Sequence, residues 1–571
     1  MDRRSFLKTG GAGLTALALA NLEMPRVAQA ASAGSSTSIW KFGVMGDTQW
    51  ITLASDPANQ NPNGCAVSVI NQLNQQFIDH GVKFVIQVGD LTEKGEDAAI
   101  ATRALAAQAL YDAGIGFFPM RGNHETYAAD LGKFNGYAIA AFQNNFPQTQ
   151  GLNNTFGATN FKSPDIPDLK GMSYSFDFGN PGGKVRFVVI DDWATPNVRI
   201  DAAGYPYGHS VTEQQSWIDD RLNKDTRGTE HAIVFSHQNL MGQDHQDTIF
   251  NGYTNANPGM QNAFCASLMK NGVGYYISGH DHMHQRSLIT SPDGISRVQE
   301  LICSSDSDKF YTPRDPNDPN WFGQKRAELS LSQELYTVGY YIFTIDGPRV
   351  TVEFYSDDHG GWLSGNDYPG PGFPVNVTPK FNFVLKEVWG YSLNGQEFLV
   401  PQGTSYSTVV DSFQTTTARI LGGTNTSNAF DYIKRPLTKA VNTGWTDVNT
   451  WRNIWPIICR RKATFAPVSD FLTLWGMTGL GLTTEPYPLS MSFDGAAPFF
   501  GRTDFGIAAQ DDKGNWVNAV SLNNGQISSR FYNGPWKPEY GLGSYGIDPN
   551  TKTAWAVVNY DGSFAVGRFE K

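Results

Sequence analysis

Ile115-Gly116-Phe117-Phe118-Pro119-Met120-Arg121-Gly122-Asn123-His124-Glu125 is an apolar run that stops abruptly on a polar block. The run reads as a buried strand. The block places an amide, an imidazole and a carboxylate where that strand turns into a loop. Four further blocks repeat the arrangement. Upstream, Trp40–Met45 runs into Gly46-Asp47-Thr48-Gln49, and Phe84–Val88 into Gly89-Asp90-Leu91-Thr92-Glu93. Downstream, Ile233–Phe235 ends on Ser236-His237, and Gly274–Ile277 on Gly279-His280-Asp281-His282. A lone Gly-Asp is usually a turn, and a lone strand-end His is usually structural. Five such blocks in order, each behind an apolar strand, describe one site at the loop edge of an α/β fold. Glycines beside the polar residues permit tight turns and close backbone approach.

Outward from these blocks, Ala66, Ile70, Leu73 and Phe77 recur at helical spacing. Ala98–Tyr111 and the stretch around Val211–Leu222 also read as helices. Met172–Phe178 and Val185–Ile190 read as strands, and Tyr340–Ile345 with Val350–Tyr355 as a hairpin around Gly347-Pro348. The alternation predicts a layered α/β domain with mixed sheets over 39–358. Residues 359–379, rich in Gly, Pro, Asn and Asp, are expected to be a linker. Beyond them, short aromatic and β-branched runs such as Phe381–Leu385, Leu489–Phe493, Trp555–Tyr560 and Phe564–Phe569 alternate with Asn-Gly, Asp-Gly and Lys-Gly turns. That pattern predicts an all-β, sandwich-like domain over 380–571.

The chain has 571 residues, a formal charge of −11, 17% charged and 13% aromatic residues. That length accommodates two domains, and so many aromatics exclude wholesale disorder. The acidic balance argues against binding to a nucleic-acid scaffold, which rewards clustered Lys and Arg. No apolar run is long enough for an ordinary membrane span.

Residues 1–30 combine Arg3-Arg4-Ser5-Phe6-Leu7-Lys8, a Gly/Ala/Leu-rich stretch and Ala28-Gln29-Ala30. They read as a twin-arginine signal peptide, so the export machinery of that pathway is an expected partner and a periplasmic or extracellular destination follows. Cleavage after Ala30 would take away four basic and two acidic residues, moving the charge to −13. Cys65, Cys265, Cys303 and Cys459 match no zinc-binding spacing and allow three full pairings, which the sequence leaves open. Oligomeric state is equally open. Of ten histidines, nine fall between His80 and His284 and the last is His359, so the final 212 residues have none.

The five blocks resemble the calcineurin-like metallophosphoesterase superfamily, whose pattern is Asp-x-His, Gly-Asp, Gly-Asn-His-Glu/Asp, His and Gly-His-x-His. The resemblance spans about 39–358 and does not extend into the β-rich tail. It implies a four-layer α/β (α+β) domain, two mixed β-sheets flanked by helices, carrying a dinuclear metal centre at the sheet edge. By that resemblance Asp47 and His282 would bind the first metal and Asp90 would bridge both. Asn123, His237 and His280 would complete the second site. His124 would contact the phosphoryl group and protonate the leaving oxygen, with Glu125 orienting it. The chemistry agrees: two cations neutralise an anionic phosphoester, and a metal-activated hydroxide serves as nucleophile without Ser or Cys. Mixed O and N donors suit Mn, Fe or Zn.

Two departures stand out. Gln49 occupies the place of a ligating His, so the first metal would gain a neutral amide donor or a water. Glu93 lies three residues after Asp90, where purple acid phosphatases carry their iron-bound Tyr, so no tyrosinate ligand is available there. Among other residues, His245, His284, Arg286 and His209 are candidates for substrate contact. The segment 305–335, with Tyr311, Arg314 and Trp321, reads as a lid or a packed surface loop. His80, His231 and His359 read as structural. The function expected is an exported metal-dependent phosphoester hydrolase acting on a small substrate, leaning to phosphomonoesters. The alternatives are a phosphodiesterase of the cyclic-nucleotide or phospholipid type, or a polymer-binding surface protein with a vestigial metal site.

Overall fold

The computed structural model describes residues 39–49, 65–93, 95–126, 138–193, 199–200, 206–207, 211–245, 248–250, 258–307, 309–315, 328–358, 380–449, 465–478, 483–495, 503–525 and 527–569. The expected signal segment 1–30 and linker 359–379 lie outside them, as do His209, Trp321, His359 and Cys459.

Two mixed sheets lie face to face. One runs Phe383–Ser392, Arg349–Asp357, Gly339–Asp346, Trp40–Met45, Phe84–Gln87, Gly116–Pro119. Its last three strands are parallel, so the first three polar blocks emerge from the same edge. The other runs Glu328–Glu334, His284–Thr290, Arg297–Ile302, Val273–Ser278, His231–Ser236, Val185–Ile190, Tyr174–Phe178, Thr159–Lys162. Here Val273–Ser278 and His231–Ser236 are parallel, bringing His237 and His280 to one edge as well. Between the sheets is a core dominated by aromatic rings. Phe42 stacks on Phe343, and Phe84 meets Phe187 edge-on at 5.2 Å. Each such pair adds about 0.5–1.5 kcal/mol beyond simple burial.

Helices cover both outer faces. Cys65–His80 and Asp97–Ala106 bury Leu73, Phe77 and Ile100 against the first sheet. Val211–Leu222 and Pro258–Lys270 bury Ile218, Phe264 and Leu268 against the second. This is the four-layer arrangement expected. Strands such as Phe84–Gln87 and His231–Ser236 are buried at every position because both of their faces are covered. The hairpin expected around Gly347-Pro348 is present as Gly339–Asp346 and Arg349–Asp357. The helix expected at Ala98–Tyr111 is broken at Ala107 into Asp97–Ala106 and Gln108–Asp112.

One boundary moves. Phe381–Leu385 was expected to open the tail domain, yet Phe383–Ser392 pairs antiparallel with Arg349–Asp357 and extends the first sheet. The alternation that marks a strand carries no information about which sheet it joins. Beyond it, two antiparallel-dominated sheets enclose a separate core that includes Trp445, Leu474, Leu489, Ala556 and Phe564, a β-sandwich as expected. The sandwich is tied to the α/β lobe by side chains. Gln299 Nε2 donates to Glu397 Oε1 at 2.6 Å, Arg435 Nη2 to Ser330 Oγ at 3.0 Å, and Arg349 Nη1 to Thr473 Oγ1.

Cys265 and Cys303 are free and buried, and burial pushes the Cys265 thiol up to about 12. Among the described residues, no helix is long and apolar enough to cross a membrane.

Candidate metal centre

All five blocks converge at one edge. Asp47 follows its strand by two residues, Asp90 by three, Asn123 by four, His237 by one and His280 by two. Backbone contacts pull the loops together. Thr48 N and Gln49 N both donate to Asp90 O, and His280 N donates to Asp47 Oδ2 at 2.9 Å. Gln49, Asp90, His280 and His282 all adopt positive φ, the strained backbone that often marks a functional loop. Two glycines are required by space. A Cβ on Gly122 would stand 2.1 Å from Asp90 Oδ1, and one on Gly279 would stand 2.2 Å from Asp47 Oδ1.

The result is two groups of buried ligand atoms that share one carboxylate. Asp90, His237 and His280 form one, Asp47, Asp90 and His282 the other, with the atoms of each group within 4.8 Å of one another. Main-chain carbonyls set the imidazoles. His237 Nδ1 donates to Val88 O at 2.8 Å, and His282 Nδ1 to Lys309 O at 3.0 Å. Each therefore turns Nε2 inward, His237 to within 3.4 Å of Asp90 Oδ2 and His282 to within 3.2 Å of Asp47 Oδ2. Two acceptors cannot approach so closely unless a positive charge lies between them. Burial opposes a charged His237, but Asp90 and Asp47 push it up to about 10, while His237 and His124 hold the buried Asp90 well below the usual carboxylate range. Among the described residues, Asp47 Oδ1 is buried with no hydrogen-bond partner. An orphaned carboxylate oxygen, inward-facing imidazoles and a shared Asp fit a pair of cations.

Asn123 joins the second group, its Oδ1 2.9 Å from His237 Nε2. His124 sits at the rim, its Nε2 3.8 Å from Asp90 Oδ2. Its Nδ1 donates to Glu93 O at 2.8 Å, which leaves Nε2 as acceptor for Gln49 Nε2 at 3.2 Å. Gln49 Oε1 then faces Ser307 Oγ at 3.4 Å. Rotating this amide would exchange its oxygen and nitrogen, bringing a donor oxygen beside Asp90.

Glu125 is not the group that orients His124. Its Oε1 accepts from Thr92 N and Oγ1 and its Oε2 from Gly122 N, all at 2.8 Å. It cross-links the second and third blocks, and burial, reinforced by Asp90, raises its carboxyl to about 7. Glu93, whose carbonyl accepts from the ring, takes the orienting place. His284 and Arg286 also fall away from the centre. The strand His284–Thr290 turns them toward the first sheet, where both pair with half-buried Glu387, His284 stacks on Phe354 at 4.0 Å and Arg286 lies over Trp389. His245 does lie at the centre. Its Nδ1 is 2.8 Å from Asp281 Oδ1, and its ring is 4.1 Å from that of His280. Tyr311 packs edge-on against both His245 and His282. His80 and His231 are structural, bonded to Tyr340 and to Tyr391 and Gly347.

A sixth block escaped the sequence reading. Cys303-Ser304-Ser305-Asp306-Ser307 follows the strand Arg297–Ile302, and Lys309 continues it. Asp306 N donates to Asp47 O at 3.1 Å, and Asp306 Oδ2 accepts from Gly46 N at 2.6 Å. Ser305 Oγ is 3.1 Å from His282 Nδ1. The signal was weaker than in the other five: Arg297-Val298-Gln299-Glu300-Leu301-Ile302 is half polar, and only its last two residues lead as an apolar pair into the Ser- and Asp-bearing turn.

Residues 41–284 match the family model for calcineurin-like phosphoesterases. This domain is a phosphoester hydrolase. Solved structures similar to the phosphoesterase include a dimetal phosphatase from Danio rerio, 15% identical, covering 55% of this chain and 95% of that one at a TM-score of 0.34. PhoD is 11% identical, covering 63% of this chain and 70% of that one at 0.39. A purple acid phosphatase from yellow lupin seeds is 14% identical, covering 56% and 52% at 0.36. No curated protein matches the chain. The family match over 41–284, together with two ligand groups that share Asp90, fits a dinuclear centre and leaves the metals unnamed.

Proposed function

We propose that the chain is an exported phosphomonoesterase working through two metal ions, and the observation that carries the proposal is the pair of ligand groups joined at Asp90. Asp47, Asp90, His282 and Gln49 would hold the first ion, and Asp90, Asn123, His237 and His280 the second. When bound, Mn, Fe or Zn ions supply charge to neutralise the phosphoryl oxygens and to acidify a nearby water. The protein's own groups do the rest. Asp90 belongs to both ligand groups, and its negative charge would lower the repulsion between the two ions. The carbonyls of Val88 and Lys309 keep His237 and His282 in the tautomers a metal needs. Protonated on both nitrogens, His124 would keep Nδ1–H on Glu93 O and present Nε2–H to the leaving oxygen. His245 and Tyr311 would wall the substrate beside the second ion.

Each ligand group keeps three buried Asp or His donors, with Gln49 the one place where a ligating His is replaced, which favours an enzyme over a polymer-binding protein with a decayed site. The monoester preference rests on what an exported enzyme would do, release phosphate for uptake, and one assay decides it. The metal-loaded chain should hold two metal equivalents and turn over an aryl phosphate faster than a bis-aryl phosphate, with both activities lost to a chelator. Faster diester turnover would reassign it as a phosphodiesterase, and full activity after metal stripping would end the metal reading. Export is supported by Arg3-Arg4 and Ala28-Gln29-Ala30. Replacing both arginines by lysine should strand the protein in the cytoplasm, and undiminished export of that variant would disprove this route.

A further inference from the structure

Lys309 lies outside the family match and outside all five blocks, yet it touches both ends of the site. Its carbonyl accepts from His282 Nδ1 at 3.0 Å. Its ammonium reaches across 216 residues of sequence to Glu93 Oε2 at 2.6 Å. Glu93 is the residue whose carbonyl holds His124, and its carboxylate stands only 3.6 Å from the same His124 Nδ1. Two acceptors on one residue therefore compete for one N–H. A carboxylate is the stronger acceptor. The ring nevertheless bonds the carbonyl, with Glu93 Oε2 occupied by Lys309. The loop that presents Lys309 is itself braced, since Ser305 Oγ donates to Lys309 O at 2.6 Å and Lys309 N to Ser307 Oγ at 3.2 Å.

We propose that Lys309 is a positioning residue for proton delivery by His124. By holding the Glu93 carboxylate away, it keeps the imidazole on the Glu93 carbonyl with Nε2 aimed across the site. The inference rests on the phosphoester-hydrolase reading and on His124 as the acid. In that reaction water adds its oxygen to phosphorus and loses a proton to bulk solvent, from which His124 is reprotonated after turnover. The bond from phosphorus to the leaving oxygen breaks with its electron pair on that oxygen, and Nε2–H of His124 protonates it. If Lys309 is removed, the carboxylate is free to capture Nδ1–H and turn the ring, so the leaving oxygen departs without a proton. A leaving group that needs no proton should hardly notice.

The test is a leaving-group series on the metal-loaded full chain, from 2,4-dinitrophenyl phosphate to phenyl phosphate. Lys309→Met should lower kcat on phenyl phosphate by about 10- to 100-fold, and on 2,4-dinitrophenyl phosphate by less than about 3-fold. KM should change little, two metal equivalents should remain by elemental analysis, and Lys309→Arg should restore the wild-type slope. In a Glu93→Gln background the competing carboxylate is gone, so adding Lys309→Met should cost little more. If Lys309→Met does not fold, Lys309→Gln carries the same comparison. Equal loss on every leaving group, loss of metal, no loss at all, or an undiminished defect in the Glu93→Gln background would each overturn the proposal. A wild-type chain that hydrolyses no phosphoester would instead overturn the functional reading beneath it.

Discussion

Gly279→Ala and Gly122→Ala should take the metal centre apart in two different ways. A Cβ on Gly279 would stand 2.2 Å from Asp47 Oδ1, with Val88 Cγ2 and Val88 O both at 3.0 Å. Side-chain carbons do not approach oxygen so closely, so Asp47 must retreat by about 1 Å in a packed surround. Metal–ligand distances tolerate only about 0.2 Å. The retreat thus removes Asp47 as a ligand and strains the 2.9 Å bond it accepts from His280 N. Losing one carboxylate should weaken the first site at least about 100-fold, or about 2.7 kcal/mol. Asp90, His237 and His280 form the other group, so Gly279→Ala should hold one tight metal per chain in place of two. On Gly122 the added carbon would meet Asp90 Oδ1 at 2.1 Å and Asp90 N at 2.6 Å. Because Asp90 belongs to both groups, this variant should hold neither metal tightly. Elemental analysis after gel filtration, followed by competition with a fluorescent chelator, reads the stoichiometry and affinity. A thermal melt by circular dichroism confirms the fold. Two metals at wild-type affinity in either variant would refute the assignment of Asp47 and Asp90.

Two further outcomes follow from single residues. His124→Ala should keep both metals, since its ring belongs to neither ligand group, but slow the chemical step about 10²–10⁴-fold. Metal loss in that variant would mean His124 is a ligand. In the sandwich, Asp561 Oδ2 accepts from Met477 N and Thr478 N, and burial raises its carboxyl to about 7 from 3.8. The folded chain therefore keeps a proton that the unfolded chain releases. Stability from this group is present below about pH 4, is lost as pH rises toward 7, and amounts to about 4 kcal/mol. Asp561→Asn keeps an acceptor for both N–H groups and should flatten the change in urea midpoint between pH 5 and pH 8. An unchanged pH dependence would show that Asp561 is ionised in the fold at pH 5.

The core of the site was legible because it is local. A strand that ends on Asp or His announces both the strand and the ligand within a few residues, as Phe84–Gln87 does before Asp90. What escaped depends on contacts between distant segments. Glu125 looks like the partner of its neighbour His124, yet it bonds Thr92, 33 residues away. His284 and Arg286 continue the last block in sequence, but a strand turns them toward Glu387, about a hundred residues on. Asp306 and Lys309 matter only because Gly46 and Glu93 lie 260 and 216 residues earlier. Phe383–Ser392 shows the same limit for the fold: its alternation says strand, and only pairing with Arg349–Asp357 says which sheet.

By itself the sequence determined the α/β lobe, the β-rich tail and the residues able to hold two metals, because apolar periodicity and donor chemistry are properties of short segments. Only the tertiary structure decided that Gly122 and Gly279 have no room for a side chain, and that Glu93 rather than Glu125 holds the His124 ring. Those are distances between parts of the chain that no local pattern records, and a metal ligand or a proton donor displaced by about 1 Å no longer serves.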